Sequence, residues 1–220
     1  MFRRKRLDTR VGTLRKQYGD DFASEFRSDA RLDTVLRQTG TDSLSQLLKR
    51  KGESRMARKV FFSFHYDNDC WRTQQVRNIG MIEGSKPVSS NDWEQVKKGG
   101  DSAIERWIKD QLSGRSCTVV LVGSETANRK WVRHEIVESW NEKKGVVGIR
   151  IHNLKDSNGF QSVSGPNPFD RITLGNGDRK LSSLVKLYSF NTSTSTAIYD
   201  LIKENIADWI DEAIEIRDNN

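Results

Sequence analysis

The sequence predicts an open, mainly parallel α/β sheet flanked by helices and preceded by a small all-helical segment. Three observations predict this fold class. Apolar runs of strand length recur along the chain, stretches of helix length separate them, and the charge balance changes near residue 57. Continuous apolar runs are typical of parallel strands buried on both faces, and their alternation with helices indicates right-handed crossover connections.

The formal net charge of +7 lies entirely at the start of the chain. Residues 1–58 contain 15 Lys and Arg against 8 Asp and Glu, whereas the later residues contain 22 of each. Short amphipathic helices that stop at Gly40 and Gly52 are predicted in this basic segment, and the charged stretch KRKGESRMARK follows them as an exposed connection. We therefore expect a helical appendage over residues 1–57 and an α/β domain over residues 58–220.

The hydropathy pattern of the second domain predicts each element in turn. Buried parallel strands are predicted at KVFFSFH (59–65), CTVVLVG (117–123) and GVVGIRI (145–151). Helices are predicted in DNDCWRTQQVRNIGMI and in SAIERWIKDQL, which Gly114 stops, and a third helix is predicted to begin near Asn128. Beyond residue 170, LVKLYSF is predicted to be an edge strand and TAIYDLIKENIADWIDEAIEI an amphipathic C-terminal helix.

Composition and motifs argue against several classes of protein. No apolar run approaches the roughly 20 residues needed to cross a bilayer, and MFRRKRLDTR leads into a polar pattern, so we expect a cytoplasmic protein without membrane contact. Cys70 and Cys117 form no metal-ligand spacing with the three histidines, so we expect free thiols and no metal. No GxGxxG, GxxxxGK[ST] or GxSxG follows a strand, which disfavours dinucleotide-dependent hydride transfer, P-loop chemistry and serine hydrolysis.

The carboxyl ends of the predicted strands indicate where a ligand binds, because open parallel sheets bind ligands beyond those ends. This rule selects Ser63, Phe64 and His65 at the end of the first strand, and Trp131 and Glu135 on the helix after the second. On spacing alone, a first-turns acid favoured by the helix dipole is the preferred interpretation of Glu135. For Phe64 and Trp131, packing in the core explains the residue type as well as a role in ligand binding does.

Four motifs occur in a fixed order in this chain: KVFFSFHYDND, VRN at 76–78, VVLVGSETANRKWVRHEI, and GPNPFD at 165–170. Together they resemble the TIR-like domain of ThsB proteins, the signalling component of bacterial Thoeris antiphage systems, over residues 56 to about 188. The stretch WVRHE is also similar to the general TIR helix motif of tryptophan, cysteine, two residues and glutamate, with Val132 in place of the usual cysteine. The resemblance implies a TIR-like, flavodoxin-like fold and makes Glu135 the catalytic residue of NAD⁺ cleavage.

The chemistry that this resemblance implies needs one carboxylate. Nicotinamide is a cation in NAD⁺ and leaves as a neutral molecule, so the enzyme mainly stabilises the positive charge that grows on the ribose. Glu135 would hold the ribose hydroxyls and offset that charge, and Trp131 and Phe64 would supply flat apolar walls. Ser63, His65 and Asn78 are the further candidate substrate contacts. No cofactor is expected, because NAD⁺ is the substrate.

The family resemblance also implies partners and a product. Cyclisation to a cyclic ADP-ribose isomer is favoured over hydrolysis to ADP-ribose, although His134 replaces the tyrosine expected beside Glu135. The product would act as a second messenger for a separate effector protein. We also expect a phage-derived trigger and a homo-oligomer, because TIR active sites often depend on contacts between protomers.

Two other functional classes remain open on the sequence alone. The first is a non-catalytic TIR-type adaptor, in which the fold serves as an assembly surface, because a fold does not by itself establish a function. The second is a nucleic-acid-binding protein that uses the basic residues 1–57 as an electrostatic footprint. The second class is disfavoured, because those basic residues are spread around the predicted helices and have few aromatic neighbours.

Overall fold

The computed structural model describes residues 58–79, 83–84, 96, 98–175, 177 and 179–220. These residues belong to a compact unit that runs from Ala57 to Asn220. The helical appendage expected at 1–57 lies outside the described residues, so its helices and its boundary stay predictions.

Seven strands are present in the described part of the chain. They are β1 (Lys59–Ser63), β2 (Glu83–Gly84), β3 (Cys117–Val122), β4 (Gly145–Arg150), β5 (Thr173–Leu174), β6 (Arg179–Lys180) and β7 (Leu187–Tyr188). Five of them form a sheet in the order β2-β1-β3-β4-β7, in which all neighbours are parallel. The predicted fold class is confirmed, and the edge strand predicted in LVKLYSF is β7. The sequence did not predict β2 or the separate antiparallel pair of β5 and β6, because two-residue strands leave no apolar run.

Four helices connect and cover the sheet within the described residues: α1 (Tyr66–Arg77), α2 (Asp101–Leu112), α3 (Lys130–Asn141) and α4 (Ser195–Asp218). Gly114 follows α2 with a φ of 70°, the left-handed conformation that favours glycine after a helix. Helix α3 begins two residues later than expected, because the turn of 3-10 helix at Thr126–Asn128 comes first. The Thr126 hydroxyl fixes this turn by accepting a hydrogen bond from the Gly123 amide at 2.9 Å.

The sheet is buried on both faces, which explains the continuous apolar runs. Alternate strand residues point to opposite faces. One face packs under α1 and α4, with a core that includes Val60, Phe62, Val119 and Leu121. On the other face, Val120, Val122 and Val146 pack with α3 and with residues 168–187, and Phe61 packs with α2.

Candidate active site

A buried hydrogen bond joins the carboxyl end of β1 to α3. Ser63, the last residue of β1, donates its hydroxyl to Glu135 Oε2 at 2.5 Å. Ser63 is 1% exposed and Glu135 is 9% exposed. The structure therefore brings together two of the site residues predicted from sequence, at the edge of the sheet where ligands of this architecture bind.

Burial changes the acid–base behaviour of Glu135. Loss of hydration disfavours the charged form and raises the pKa of its carboxyl from 4.5 to about 8, and the hydrogen bond from Ser63 partly opposes this rise. The carboxyl is therefore mostly protonated at neutral pH. A buried carboxyl with a pKa raised in this way, at the ligand-binding edge of a sheet, is a typical feature of active sites.

Two further hydroxyls hold the backbone at Glu135. Ser139 is one helical turn further along α3 and donates its hydroxyl to the Glu135 carbonyl oxygen at 2.5 Å. Thr118 of β3 lies 2.7 Å from Ser139, measured between their hydroxyl oxygens. Both residues are fully buried. Helix α3 is therefore attached to β1 through the contact of Glu135 with Ser63, and to β3 through the contact of Ser139 with Thr118.

Trp131 lies one helical turn before Glu135 on the same face of α3. Its ring is half-buried and packs against the cluster that contains Phe61 and Ile108. The ring also contacts its neighbours on α3, with the Lys130 ammonium 4.6 Å from the ring centre and the His134 ring edge-on at 5.8 Å. Trp131 is thus partly a core residue that lies one helical turn from Glu135.

Phe64 and His65 follow Ser63 in the chain, but their side chains lie in different surroundings. Phe64 is half-buried and packs against the core cluster under α1 and α4, on the face away from Glu135. His65 is 6% exposed and precedes the first residue of α1. Neither of its ring nitrogens forms a hydrogen bond within the described residues, and Nε2 lies 3.5 Å from the Asp67 carboxylate. Burial and then the nearby Arg129 lower the pKa of His65, which favours the neutral ring.

Asn78 is not brought together with the other predicted contacts. It is exposed and terminates α1, where its backbone amide donates to the carbonyl of Gln74 at 3.0 Å. The helix begins beside His65 and has 12 residues, so Asn78 lies about 18 Å along the helix from the carboxyl end of β1.

The sequence interpretation missed a buried ion pair on α1. The Arg72 guanidinium lies 3.1 Å from the Asp69 carboxylate, and both side chains are almost fully buried. Arg72 also donates to the carbonyls of Leu154 at 2.8 Å and Phe160 at 3.0 Å, so it holds the loop after β4 against α1. Burial raises the pKa of Asp69, and Arg72 opposes this rise. No sequence pattern indicates such a pair, because its partners are distant backbone carbonyls.

Two glycines of the quoted motifs mark where this loop approaches the sheet. A Cβ at Gly123 would collide with the Asp69 carboxylate, and a Cβ at Gly165 would collide with the backbone carbonyls of Gly123 and Ser124. Glycine at both positions therefore permits close packing at the carboxyl end of β3. The two glycines are the sequence feature that could have indicated how closely this loop approaches the sheet.

Other features of the described residues lie apart from Glu135. An open depression of about 470 Å³ lies at the C-terminal end of α3, where Trp140, Leu174 and Arg217 line it. No group of three or more potential metal ligands occurs in the part of the chain that the structure describes. Cys70 and Cys117 are free thiols, and burial raises the pKa of Cys117. None of the described helices is both long enough and apolar enough to span a membrane.

The sheet order, the flanking helices and the buried glutamate at the carboxyl end of β1 define a TIR-like α/β domain. Residues 61–156, less than half of the chain, match the family model of the Thoeris protein ThsB, TIR-like domain, so this segment is similar to that family. The match begins within β1, contains α1, β2, α2, β3, α3 and β4, and ends before the GPNPFD motif.

The chain is also similar to a Bacillus cereus (strain MSX-D12) protein whose name gives it as a proposed cyclic ADP-D-ribose synthase, ThsB1. The two are 41% identical over 122 residues, which cover 53% of this chain and 64% of that relative. The matched region thus spans less than two thirds of the relative's length.

Proposed function

We propose that the α/β domain cleaves NAD⁺, releases nicotinamide, and forms a cyclic ADP-ribose isomer as a second messenger in antiphage defence. The observation that carries this proposal is the buried Glu135 carboxyl, hydrogen-bonded to Ser63 at the ligand-binding edge of a domain similar to the TIR-like domain of ThsB. The similarity to a relative named for cyclic ADP-ribose synthesis supports the choice of substrate and product.

In the proposed reaction, the bond between nicotinamide nitrogen and ribose C1′ breaks and its electron pair leaves with nicotinamide. The departing ring is then neutral, and positive charge develops on the ribose. The Glu135 carboxylate offsets this charge and accepts hydrogen bonds from the ribose hydroxyls. An anion fixed in a desolvated site needs no reorganisation when the charge forms, so it stabilises the transition state more than a solvated anion would.

The raised pKa of Glu135 fits this substrate. An opposite charge nearby favours the ionised form of a carboxyl, so the cationic nicotinamide ring lowers the pKa of Glu135 when it binds. Because the carboxyl has a pKa of about 8, NAD⁺ binding at neutral pH is coupled to proton release. The cost of burying the carboxylate is thereby partly offset by the substrate itself.

The second half of the reaction decides the product. A hydroxyl of the same NAD⁺ molecule that attacks C1′ and loses its proton gives a cyclic isomer, whereas attack by water gives ADP-ribose and a proton. We favour cyclisation because of the similarity to the relative named above. Trp131, beside Glu135, would form an apolar wall of the site, and His65 would contribute a neutral polar contact.

The proposed biological setting follows from the same similarity. The enzyme would be cytoplasmic, would respond to a phage-derived trigger, and would act on a separate effector protein only through its nucleotide product. We further propose that the active form is a homo-oligomer. No binding of nucleic acid or membrane is part of this proposal.

The experiment that tests the proposal is chromatography of the nucleotide products from the purified full chain, with and without extract of phage-infected cells. We expect free nicotinamide and a cyclic ADP-ribose isomer from the wild-type protein. Glu135→Gln should reduce turnover at least about 100-fold, the order found when one stabilising group is removed from an active site.

Glu138→Gln is the matched control, because Glu138 lies on the same helix and pairs with Lys109 at 3.4 Å rather than with Ser63. It should keep NAD⁺ turnover near the wild-type level. ADP-ribose as the main product would overturn cyclisation but keep NAD⁺ cleavage. No turnover by the wild-type protein under either condition would support the adaptor function instead.

A further inference from the structure

The Glu135 carboxylate is held asymmetrically. Its Oε2 accepts the hydrogen bond from Ser63, whereas Oε1 makes no hydrogen bond to any residue that the structure describes. The side chain keeps 9% of its surface exposed. One oxygen is thus engaged by the protein, whereas the other has no hydrogen-bond partner among the described residues.

The other hydroxyls near Glu135 act on its backbone. Ser139 donates its only hydroxyl proton to the Glu135 carbonyl, so in the contact between Thr118 and Ser139 the Thr118 hydroxyl is the donor. This chain of two hydroxyls fixes α3 against β3 without contacting the carboxylate. In the described part of the molecule, Ser63 is the group that hydrogen-bonds to the carboxylate itself.

We infer that Ser63 is a positioning residue for NAD⁺ cleavage, one that holds Glu135 by Oε2, favours its ionised form and leaves Oε1 for the substrate ribose. Ser63 acts through Glu135 and does not itself contact the substrate. This differs from the direct substrate contact expected from the sequence, and it rests on the proposed function.

The pKa of Glu135 depends on few groups, so the effect of the Ser63 hydroxyl on it can be predicted. The two causes that shift the pKa of Glu135 are burial, which raises it, and the hydrogen bond from Ser63, which lowers it. Other titratable groups on the elements packed around Glu135 do not contact the carboxylate: His65 beyond β1, His134 and Glu138 on α3, Lys109 on α2 and Cys117 on β3. Removal of the hydroxyl therefore leaves burial unopposed and raises the pKa of Glu135 further.

The test is the pH dependence of kcat/KM for NAD⁺, which reports ionisations of the free enzyme. In the wild-type protein, kcat/KM should rise with pH and level off near pH 8. In Ser63→Ala this rise should move to higher pH, and kcat/KM at pH 7 should fall roughly tenfold or more, because a hydrogen bond to a charged group is among the stronger ones. The difference in kcat/KM between the wild-type protein and Ser63→Ala should shrink above the pH at which Glu135 is ionised in both proteins.

Thr118→Val is the matched control, because it removes a buried hydroxyl of the same helix anchor without touching the carboxylate. It should lower the melting temperature but leave the midpoint of the pH profile unchanged. Ser63→Thr keeps the hydroxyl and should also keep the wild-type midpoint. An unchanged midpoint in Ser63→Ala, or an equal displacement in Thr118→Val, would overturn the inference.

A titration of the Glu135 carboxyl by carbon-13 NMR separates this inference from the proposed function. Glu135→Gln identifies the signal by its loss, and no turnover is required. A higher midpoint in Ser63→Ala than in the wild-type protein supports the control of ionisation by Ser63 even if NAD⁺ is not a substrate. Equal midpoints overturn that control even if NAD⁺ cleavage is confirmed.

Discussion

Helices α3 and α4 both pack on the sheet, but they bury different kinds of side chain. Helix α4 buries a stripe that is entirely apolar: Ile198, Ile202, Ile206, Ile210 and Ala213. Helix α3 buries Val132, Ile136 and Trp140 in the same periodic way, but it also buries Glu135 and Ser139. One helix is therefore a plain amphipathic element, whereas the other has a carboxyl group next to its apolar stripe.

This difference indicates which helix serves chemistry. Burying a carboxyl without an opposite charge opposes folding, and packing on the sheet does not require it, since the buried residues of α4 on the same sheet are all aliphatic. Departures from ordinary packing rules are expected at functional sites. The hydrogen bond from Ser63 to Glu135 reduces the cost of burial without removing it.

The largest effect on stability is expected on the apolar helix. Ile206→Ala on α4 should lower the free energy of unfolding by about 2–5 kcal/mol, because Ile206 is fully buried and the change leaves a cavity. Chemical denaturation measures this loss. Lys203→Ala, at an exposed position of the same helix, should change stability by less than about 0.5 kcal/mol. A loss under 1 kcal/mol in Ile206→Ala would show that α4 contributes little to the core.

The second effect concerns Glu135 and depends on pH. Between pH 4.5 and about 8 the folded protein keeps the Glu135 proton that the unfolded chain has released, so stability falls as pH rises, by up to about 1.4 kcal/mol per pH unit. Glu135→Gln should remove this contribution and become progressively more stable than the wild-type protein over that range. Below pH 4.5 the carboxyl is protonated in both states, and the dependence disappears.

Denaturation of both proteins from pH 4 to pH 9 measures this difference. The wild-type protein and Glu135→Gln share all other titrating groups, so the difference between their unfolding free energies reports Glu135 alone. A difference in unfolding free energy that stays constant from pH 4.5 to 8 would show that the carboxyl ionises normally in the folded protein.

The smallest effect is expected from an exposed ion pair at the start of α3. Lys130 pairs with Asp101 of α2, and both side chains are about two thirds exposed. Lys130→Gln should change the free energy of unfolding by less than about 1 kcal/mol, because solvent screens exposed pairs. Raised salt should reduce the difference further. A loss of unfolding free energy above 2 kcal/mol that persists in 1 M salt would show that this exposed ion pair contributes to stability as strongly as a buried group of α3.

The sequence predicted the elements that repeat a pattern over many residues. The runs around Val60, Val119 and Val147 were recognisable as strands because both faces of the sheet are covered. Strand β2 and the pair of β5 and β6 were missed, because two residues show no periodicity. Glu135 was identified by resemblance, since its spacing alone favoured a helix acid.

The roles of the residues around Glu135 were harder to predict than their proximity. Ser63 lies at the predicted edge, but its contact is with Glu135, which only the packing of α3 on β1 determines. Phe64 follows the strand alternation to the opposite face, and Asn78 lies at the far end of α1. The pair of Asp69 and Arg72 left no sequence signal, because it depends on loop carbonyls more than 80 residues away.

The most direct test compares nicotinamide release by the wild-type protein and Glu135→Gln at pH 8, on preparations whose unfolding free energies have been measured. We predict that the variant is more stable than the wild-type protein but releases nicotinamide at least about 100-fold more slowly. That combination would show that the carboxyl is buried for catalysis and at the expense of stability. Equal rates of nicotinamide release from two folded proteins would contradict a catalytic role for Glu135.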